Sequence, residues 1–230
     1  MKITVIIPAF NEELSIGKVI GDIPDMVSEI IVVDNNSTDA TSKVAKNAGA
    51  TVLFENRKGY GYACLQGMDY IKNSSNKIPD IVVFLDGDYS DFPEELTRLV
   101  NPIIHNDFDF VVGARAKKLR VKGAMTLPQR FGNRLATSLM TLLFNSTFTD
   151  LGPFRAIKYN KLLALEMADK TYGWTVEMQL KALKKKYSYM EIEVPYRNRI
   201  GVSKVSGTVK GAVFAGYKIL GWIFKYSLKK

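Results

Sequence analysis

Two carboxylates, Asp86 and Asp88, flank Gly87 directly after the apolar run 80–85 (DIVVFL). Carboxylate oxygens suit hard cations such as Mg²⁺ or Mn²⁺. A cation held by one or two of them keeps positions open for substrate phosphates. Gly87 lets the backbone turn tightly between them. An Asp-x-Asp triplet alone is weak, because aspartates also serve turns and caps. Its place at the end of a buried strand gives it weight.

Three further clusters carry compatible chemistry. VIIPAFNEE runs from an apolar segment into Pro8, Asn11 and Glu12, whose polar groups can accept hydrogen bonds from a nucleoside; capping of the next helix is the plainer use of Asn11. In IIVVDNNSTDAT, Asp34 can accept from a ribose hydroxyl or a base N–H. In RKGYGYACLQG, Gly59 and Gly61 permit close backbone approach, and Arg57 and Lys58 can meet anions. Downstream, residues 115–134 hold Arg115, Lys117, Lys118, Arg120, Lys122, Arg130 and Arg134 with no Asp or Glu. Guanidinium groups match phosphate oxygens in pairs. A solvated loop is the alternative for any one of these lysines.

The elements that must hold these residues follow from periodicity. Apolar, β-branched runs at 3–8, 29–33, 51–54, 80–85 and 108–113 predict strands. Helical patterns separate them: one through Leu14, Val19, Ile20 and Ile23 to Pro24, one to about Ala48 with Gly49 as its stop, one to about Ile71, and one from near Pro93. Ser37, Thr38 and Asp39 are candidate caps. Such alternation predicts an α/β fold, Rossmann-like, with a mainly parallel sheet flanked by helices. Ligands of such sheets sit at the carboxyl ends of the strands, where Pro8, Asp34 and Asp86 fall. Past Arg115 the pattern changes: a basic loop at 116–123, helices at 128–145 and 171–186, a strand at 190–195, a mobile loop at 197–208 and a helix at 209–228. The expected organisation is one domain at 1–208, divided at 115/116 into two halves, then a C-terminal apolar and basic helix at 209–230.

Bulk properties narrow the classes. Of 230 residues, 47% are hydrophobic and 24% charged, an ordinary globular balance. The one cysteine, Cys64, excludes an internal disulfide, and with one histidine, His105, a zinc site is not expected. The N-terminus enters a strand at once, so no signal peptide is expected. Residues 1–180 carry 20 Lys+Arg against 21 Asp+Glu, whereas residues 181–230 carry 12 against two. All the excess charge of +9 therefore lies in the last fifth and would attract anionic partners. Aromatic and basic residues are not interleaved as on a single-strand platform, so nucleic acid is not expected.

The strings P-A-F-N-E, V-V-D-N-N-S-T-D-A-T, R-K-G-Y-G-Y-A and D-G-D, in this order, resemble family 2 glycosyltransferases of the GT-A fold. The resemblance covers the first half of the chain. It implies a UDP- or GDP-hexose donor, Mg²⁺ or Mn²⁺, and inversion at the anomeric carbon. It also puts Pro8, Phe10, Glu12 and Asp34 around the nucleoside, Lys58 and Gly87 on the donor, and Asp86 and Asp88 at the metal. In the second half, VGAR (112–115), LPQRFGNR (127–134), DLGPFR (150–155) and GVSK (201–204) resemble the dolichyl- or polyprenyl-phosphate mannose and glucose synthases. That likeness implies acceptor-phosphate roles for Arg115 and Arg130, a place near the donor diphosphate for Lys204, and a recurrent acidic position at Glu177, for which a structural role is an equal reading. Together these likenesses imply that 1–208 is a catalytic domain whose 1–115 half binds the nucleotide sugar and whose 116–208 half binds the acceptor. The synthases commonly read D-A-D-x-Q. Here Ser90 stands at the glutamine position, which leaves a third ligand open.

A lipid-phosphate acceptor is already anionic and needs no protein base, whereas a hydroxyl acceptor would need one, with Asp150 and Glu177 as candidates. A non-catalytic membrane-associated protein of degenerate fold is the rival from another class. A nucleotidylyltransferase would need a glycine-rich, arginine-bearing loop after the first strand, which PAFNEE lacks. The final segment mixes Phe214, Ile219, Trp222 and Phe224 with Lys210, Lys218, Lys225, Lys229 and Lys230. It reads as a helix lying at an anionic interface or packed on the core, with 128–145 as a second interfacial element. The expected location is cytoplasmic, peripheral at the membrane face. The oligomeric state stays open.

Overall fold

The computed structural model describes residues 1–74, 78–201 and 209–228. Alternation in the first strand sets the layering. In β1 (Ile3–Ala9), Ile6 packs on one face with Ile31, Val33 and Phe84, whereas Val5 and Ile7 pack on the other with Val32 and Val83. Each such side chain, fully withdrawn from water, contributes about 1.5–3 kcal/mol. A sheet buried on both faces needs helices on both. The Ile6 face is covered by α3 (Tyr60–Asn73), α5 (Leu127–Phe144), α6 (Tyr159–Leu165), α7 (Trp174–Lys184) and α8 (Val209–Leu228). The opposite face carries α1 (Ile16–Gly21), α2 (Thr41–Asn47) and α4 (Leu96–Asn106).

The remaining strands are β2 (Glu29–Asp34), β3 (Thr51–Phe54), β4 (Ile81–Phe84), β5 (Phe110–Arg120), β6 (Arg155–Lys158) and β7 (Tyr189–Tyr196). Their order is β3-β2-β1-β4-β6-β5-β7, and β6 alone runs antiparallel to its neighbours. The chain winds outward from β1 to β3, then returns to lay β4 on the other side of β1. That reversal opens a crevice between the carboxyl ends of β1 and β4, the place where such sheets bind ligands.

The mainly parallel α/β sheet matches the expectation. Four local readings need correction. Residues 116–120 are strand, because β5 continues beside β7 through an irregularity between Arg115 and Arg120. Their exposed lysines face solvent, and Lys118 pairs with Glu193 at 2.5 Å. The four-residue β6 and seven-residue α6 were not anticipated. Helix α1 begins after Leu14, which is exposed. None of Ser37, Thr38 and Asp39 is the N-cap of α2, which is Ala40. Instead Ser37 Oγ accepts from Asn11 N at 2.9 Å, and Asp39 Oδ1 accepts from Thr41 N at 3.0 Å. Helix α5 is closed by a capping box in which Thr126 and Gln129 satisfy each other's backbone N–H. Helix α8 lies against α5 and α7, and its Ile223 is fully buried in the same core as Trp174.

Candidate active site

The rim of the crevice carries strain. Asn11, Asn36 and Tyr89, which follow β1, β2 and β4, all have left-handed backbones, with φ of 54°, 66° and 63°. For a bulky residue such as Tyr89 this costs about 1–3 kcal/mol, and such strain gathers at functional sites. Arg197 clamps that turn: its guanidinium lies 3.4 Å from the Tyr89 ring centroid, and its Nε donates to Tyr89 O at 2.7 Å.

Beneath the turn stand the two aspartates. Asp86 Oδ1 is buried without a hydrogen-bond partner among the described residues. Its burial, and then the neighbouring charge of Asp88, raise its pKa to about 7. Asp88 is buried; its Oδ1 accepts from Ser90 N (2.9 Å) and Ser90 Oγ (2.5 Å), and its Oδ2 lies 3.1 Å from Arg199. The Ser90 hydroxyl is thus committed to Asp88. Arg199 also donates to Glu12 Oε1 at 2.7 Å, so one guanidinium bridges the loops after β1 and β4. Asp91 is buried with both oxygens unpaired among the described residues; burial and then Asp86 push its pKa well up. An orphaned carboxylate oxygen beside a second buried carboxylate is the donor set a divalent cation satisfies, and Asp86 and Asp88 supply it. Among the described residues, no cluster of three or more His, Cys, Asp or Glu side chains could hold a metal.

Two cavities meet at this pair. One, of about 340 Å³, is lined by Pro8, Phe10, Glu12, Asn35, Lys58, Gly59, Gly87 and Arg199. The other, of about 350 Å³, runs from Asp86, Asp88 and Arg115 past Trp174 to Leu135 of α5 and to Gly216, Ile219 and Leu220 of α8. Tyr60, Thr171 and Tyr172 line both. Lys58 Nζ stands 5.7 Å from the Phe10 ring centroid. Asn35 shapes the first cavity: its Nδ2 donates to Glu55 O and Arg57 O, and its Oδ1 accepts from Gly59 N at 2.8 Å. Helix α3 enters closely, since a Cβ at Gly61 would overlap the Asp169 and Lys170 backbone.

A third, basic cavity of about 470 Å³ is lined by Arg115, Lys117, Lys118, Arg120 and Arg130. Arg115 is held by Asp150, with Nε and one terminal nitrogen at 2.7 Å from its two oxygens and the Arg115 N–H donating at 2.8 Å. Burial alone would raise the Asp150 pKa, but the charge and hydrogen bonds of Arg115 hold it below the usual carboxylate range.

The structure therefore brings together Pro8, Phe10, Glu12, Lys58, Asp86, Gly87, Asp88 and Arg115. Arg130 reaches only the basic cavity. Asp34 does not line the first cavity; its oxygens accept from Ser37 N ahead of α2 and from Ser42 Oγ in the first turn of α2, and Asn35 takes the cavity wall instead. Glu177 is fully buried away from all three cavities, accepting from Ala168 N and Asp169 N and pairing with Lys181 at 2.8 Å. Lys204 lies outside the described residues. Sequence reasoning missed Asn35, Tyr60, Asp91 and Arg199. The first is adjacent to a chosen residue, and Tyr60 stands between two chosen glycines. Nothing local connects Arg199 to Asp88.

A switch-point crevice with two buried aspartates and two confluent cavities is the ligand-binding edge of a doubly wound α/β fold. Residues 4–164 match the model of glycosyl transferase family 2, and the chain belongs to that family. It is 32% identical over 216 residues to an uncharacterised glycosyltransferase of Mycobacterium tuberculosis, spanning 93% of this chain and 94% of the relative. A dolichyl-phosphate hexose transferase of Haloferax volcanii is 31% identical over 220 residues, 91% of this chain and 89% of the relative. The fold superposes on glucosyl-3-phosphoglycerate synthase from M. tuberculosis in complex with Mn²⁺, UDP and phosphoglyceric acid, with a TM-score of 0.76 at 20% identity, covering 100% of this chain and 79% of that one. The protein is a family 2 glycosyltransferase of GT-A architecture.

Proposed function

We propose that this enzyme moves a hexose from UDP- or GDP-hexose to a polyprenyl or dolichyl phosphate at a membrane surface, with inversion. One observation carries the reading: the cavity that starts at Asp86, Asp88 and Arg115 ends between α5 and α8, whose outer faces are apolar. Leu127, Phe131, Leu135 and Leu142 of α5 are exposed and fall within one narrow arc at 100° per residue; so do Phe214, Tyr217, Phe224 and Leu228 of α8. Two such stripes beside a basic C-terminal fifth suit a helix pair resting on an anionic bilayer, each nearby basic residue contributing about 1 kcal/mol. Among the described residues, no helix is long and apolar enough to cross a membrane. We assign the enzyme to the cytoplasmic membrane face as a peripheral protein. The likeness to the dolichyl-phosphate hexose transferase supports the same acceptor class.

On this reading, the nucleoside lies against Pro8, Phe10 and Asn35, and Lys58 and Arg199 face the diphosphate. Mg²⁺ or Mn²⁺ held by Asp86 and Asp88 would supply Lewis-acid neutralisation of the leaving diphosphate. Arg115 and Arg130 orient the acceptor phosphate. An acceptor oxygen forms the new bond to the anomeric carbon from the face opposite the leaving nucleoside diphosphate, and the bond to that group breaks with its electron pair leaving on it. No side chain need take a proton. The fixed engagement of Asp150 and Glu177 speaks against a protein base.

The basic cavity favours a second reading, transfer to a soluble phosphorylated acceptor. Labelled-hexose transfer from UDP-glucose and GDP-mannose with Mn²⁺, to a polyprenyl phosphate in detergent and to 3-phosphoglycerate, separates the two. Lipid product abolished by Asp88→Ala supports the proposal. Product on 3-phosphoglycerate alone overturns the lipid acceptor, and full turnover in Asp88→Ala overturns the metal assignment.

A further inference from the structure

Helix α8 is tied to the donor side by one carboxylate. Asp169 lies in the segment between α6 and α7 and is 2% exposed. Its Oδ2 accepts from Trp222 Nε1 at 2.6 Å and from Lys218 Nζ at 2.9 Å, both on α8. Its Oδ1 accepts from Thr171 N at 2.7 Å and Gly173 N at 3.0 Å, which fixes the turn carrying Thr171 and Tyr172. Those two residues belong to the wall shared by the two cavities, together with Tyr60, Asp86, Asp88 and Arg199. The same segment is braced from both sides. Tyr62 N donates to Lys170 O at 3.1 Å, and the α3 entry lies against the Asp169–Lys170 backbone so closely that a Cβ at Gly61 has no room. At the other end, a Cβ at Gly173 would overlap the Trp222 indole. Glu177 pins Asp169 N at 2.7 Å from below. A buried carboxylate with four charge-assisted hydrogen bonds cannot drop one partner cheaply, so α8 and the turn move together or not at all.

We propose that Asp169 is a positioning residue that couples the placement of α8 to the shape of the donor cavity. In consequence, occupancy on either side of the Thr171–Tyr172 wall is felt on the other. This rests on the lipid-acceptor reading only for what seats α8 in the cell. Coupling free energy is reciprocal: whatever fixes α8 must alter donor affinity, and donor must alter the order of α8 by the same factor.

The reciprocal arm can be read without lipid. The probe is UDP-glucose or GDP-mannose, whichever raises the melting temperature with Mn²⁺. Hydrogen exchange of the α8 amides at 214–226 is followed with and without it in wild type, Asp169→Asn, Lys218→Met and Trp222→Phe. Trp222→Phe keeps an aromatic ring beside Tyr226 but deletes the indole N–H together with part of the ring packed near Gly173, so its melting temperature is measured alongside. Donor is expected to slow α8 exchange about fivefold or more in wild type, and less than about twofold in Trp222→Phe and in the Lys218→Met/Trp222→Phe pair, with melting temperatures retained. Asp169→Asn should behave alike where it folds. Equal α8 protection in wild type and Trp222→Phe, or none in wild type, overturns the proposal. Separately, donor affinity is measured with polyprenyl phosphate micelles and with empty micelles. Donor-dependent protection of α8 with no lipid effect leaves the coupling standing and removes the lipid as what seats α8. A lipid effect that survives in Trp222→Phe removes Asp169 as its route.

Discussion

Replacing Asp150 by asparagine tests whether this carboxylate holds Arg115 or takes a proton from the acceptor. Both side chains are nearly out of water, at 6% and 11% exposure, and three hydrogen bonds join them. Asparagine keeps the shape but removes the charge and presents an N–H₂ where a guanidinium nitrogen already donates. Breaking a buried pair from one side costs about 3–5 kcal/mol, because the remaining charge stays desolvated. For a chain of this length each kcal/mol lowers the melting temperature by about 2–4 °C, so Asp150→Asn should melt about 6–20 °C lower. Arg115→Met combined with Asp150→Asn removes both charges and should recover much of that loss. The sign with pH follows from the lowered Asp150 value. The stabilisation is in force above the ordinary carboxylate range and fades as pH falls through the folded-state value, so variant and wild type converge in acid. Scanning calorimetry of wild type and the two variants at neutral and acidic pH gives the answer. A melting point within about 2 °C of wild type, with transfer lost, would refute the ion-pair reasoning and make Asp150 a base.

The metal-free protein should lose stability as pH rises from about 4 to about 7, because folded Asp86, with its pKa raised to about 7 from 3.8, keeps a proton that the unfolded chain releases. Since Asp86 retains some solvent contact, about 2 kcal/mol is expected from it between pH 5 and 8; chemical denaturation in EDTA should show it, and Asp86→Asn should lessen the slope, with Asp91 left to contribute in the same direction. Gly61→Ala forces α3 away from the Asp169–Lys170 backbone, which should cost about 1–3 kcal/mol and weaken sugar-nucleotide binding, measured by melting and by calorimetric titration. Arg199→Gln frees Asp88 and Glu12 from a competing cation. Nucleotide-free Mn²⁺ affinity, read by electron paramagnetic resonance, should rise about fivefold, the worth of ~1 kcal/mol, while UDP or GDP affinity falls.

The first half of the chain was legible because its signals are local. β1, β2 and β4 are apolar runs that end at Ala9, Asp34 and Phe84, and their periodicity fixes the rim on which Pro8, Glu12, Asp86 and Asp88 meet. The second half was harder for physical reasons. Lys117 and Lys118 suggested a loop, yet a strand paired on one side tolerates lysines that face water. β6 is too short for a period to register, and its Arg155 is fully buried, donating to Thr175 O and Leu151 O, so a charge concealed a strand. Asp34 was drawn inward by seryl partners of the next helix, which no spacing rule anticipates. Arg199 finds Glu12 across 187 positions, a contact only the assembled rim creates.

Strand β6 enters the sheet at the same rim where β5 leaves it, and the two lie side by side. Everything between them, including α5, is therefore one excursion that departs and returns at a single rim, anchored by Ala136, Met140 and Phe148 in the shared core and by Asp150 on Arg115. A lineage can vary this wall of the second cavity as one contiguous stretch without touching a parallel crossover, provided those anchors are kept.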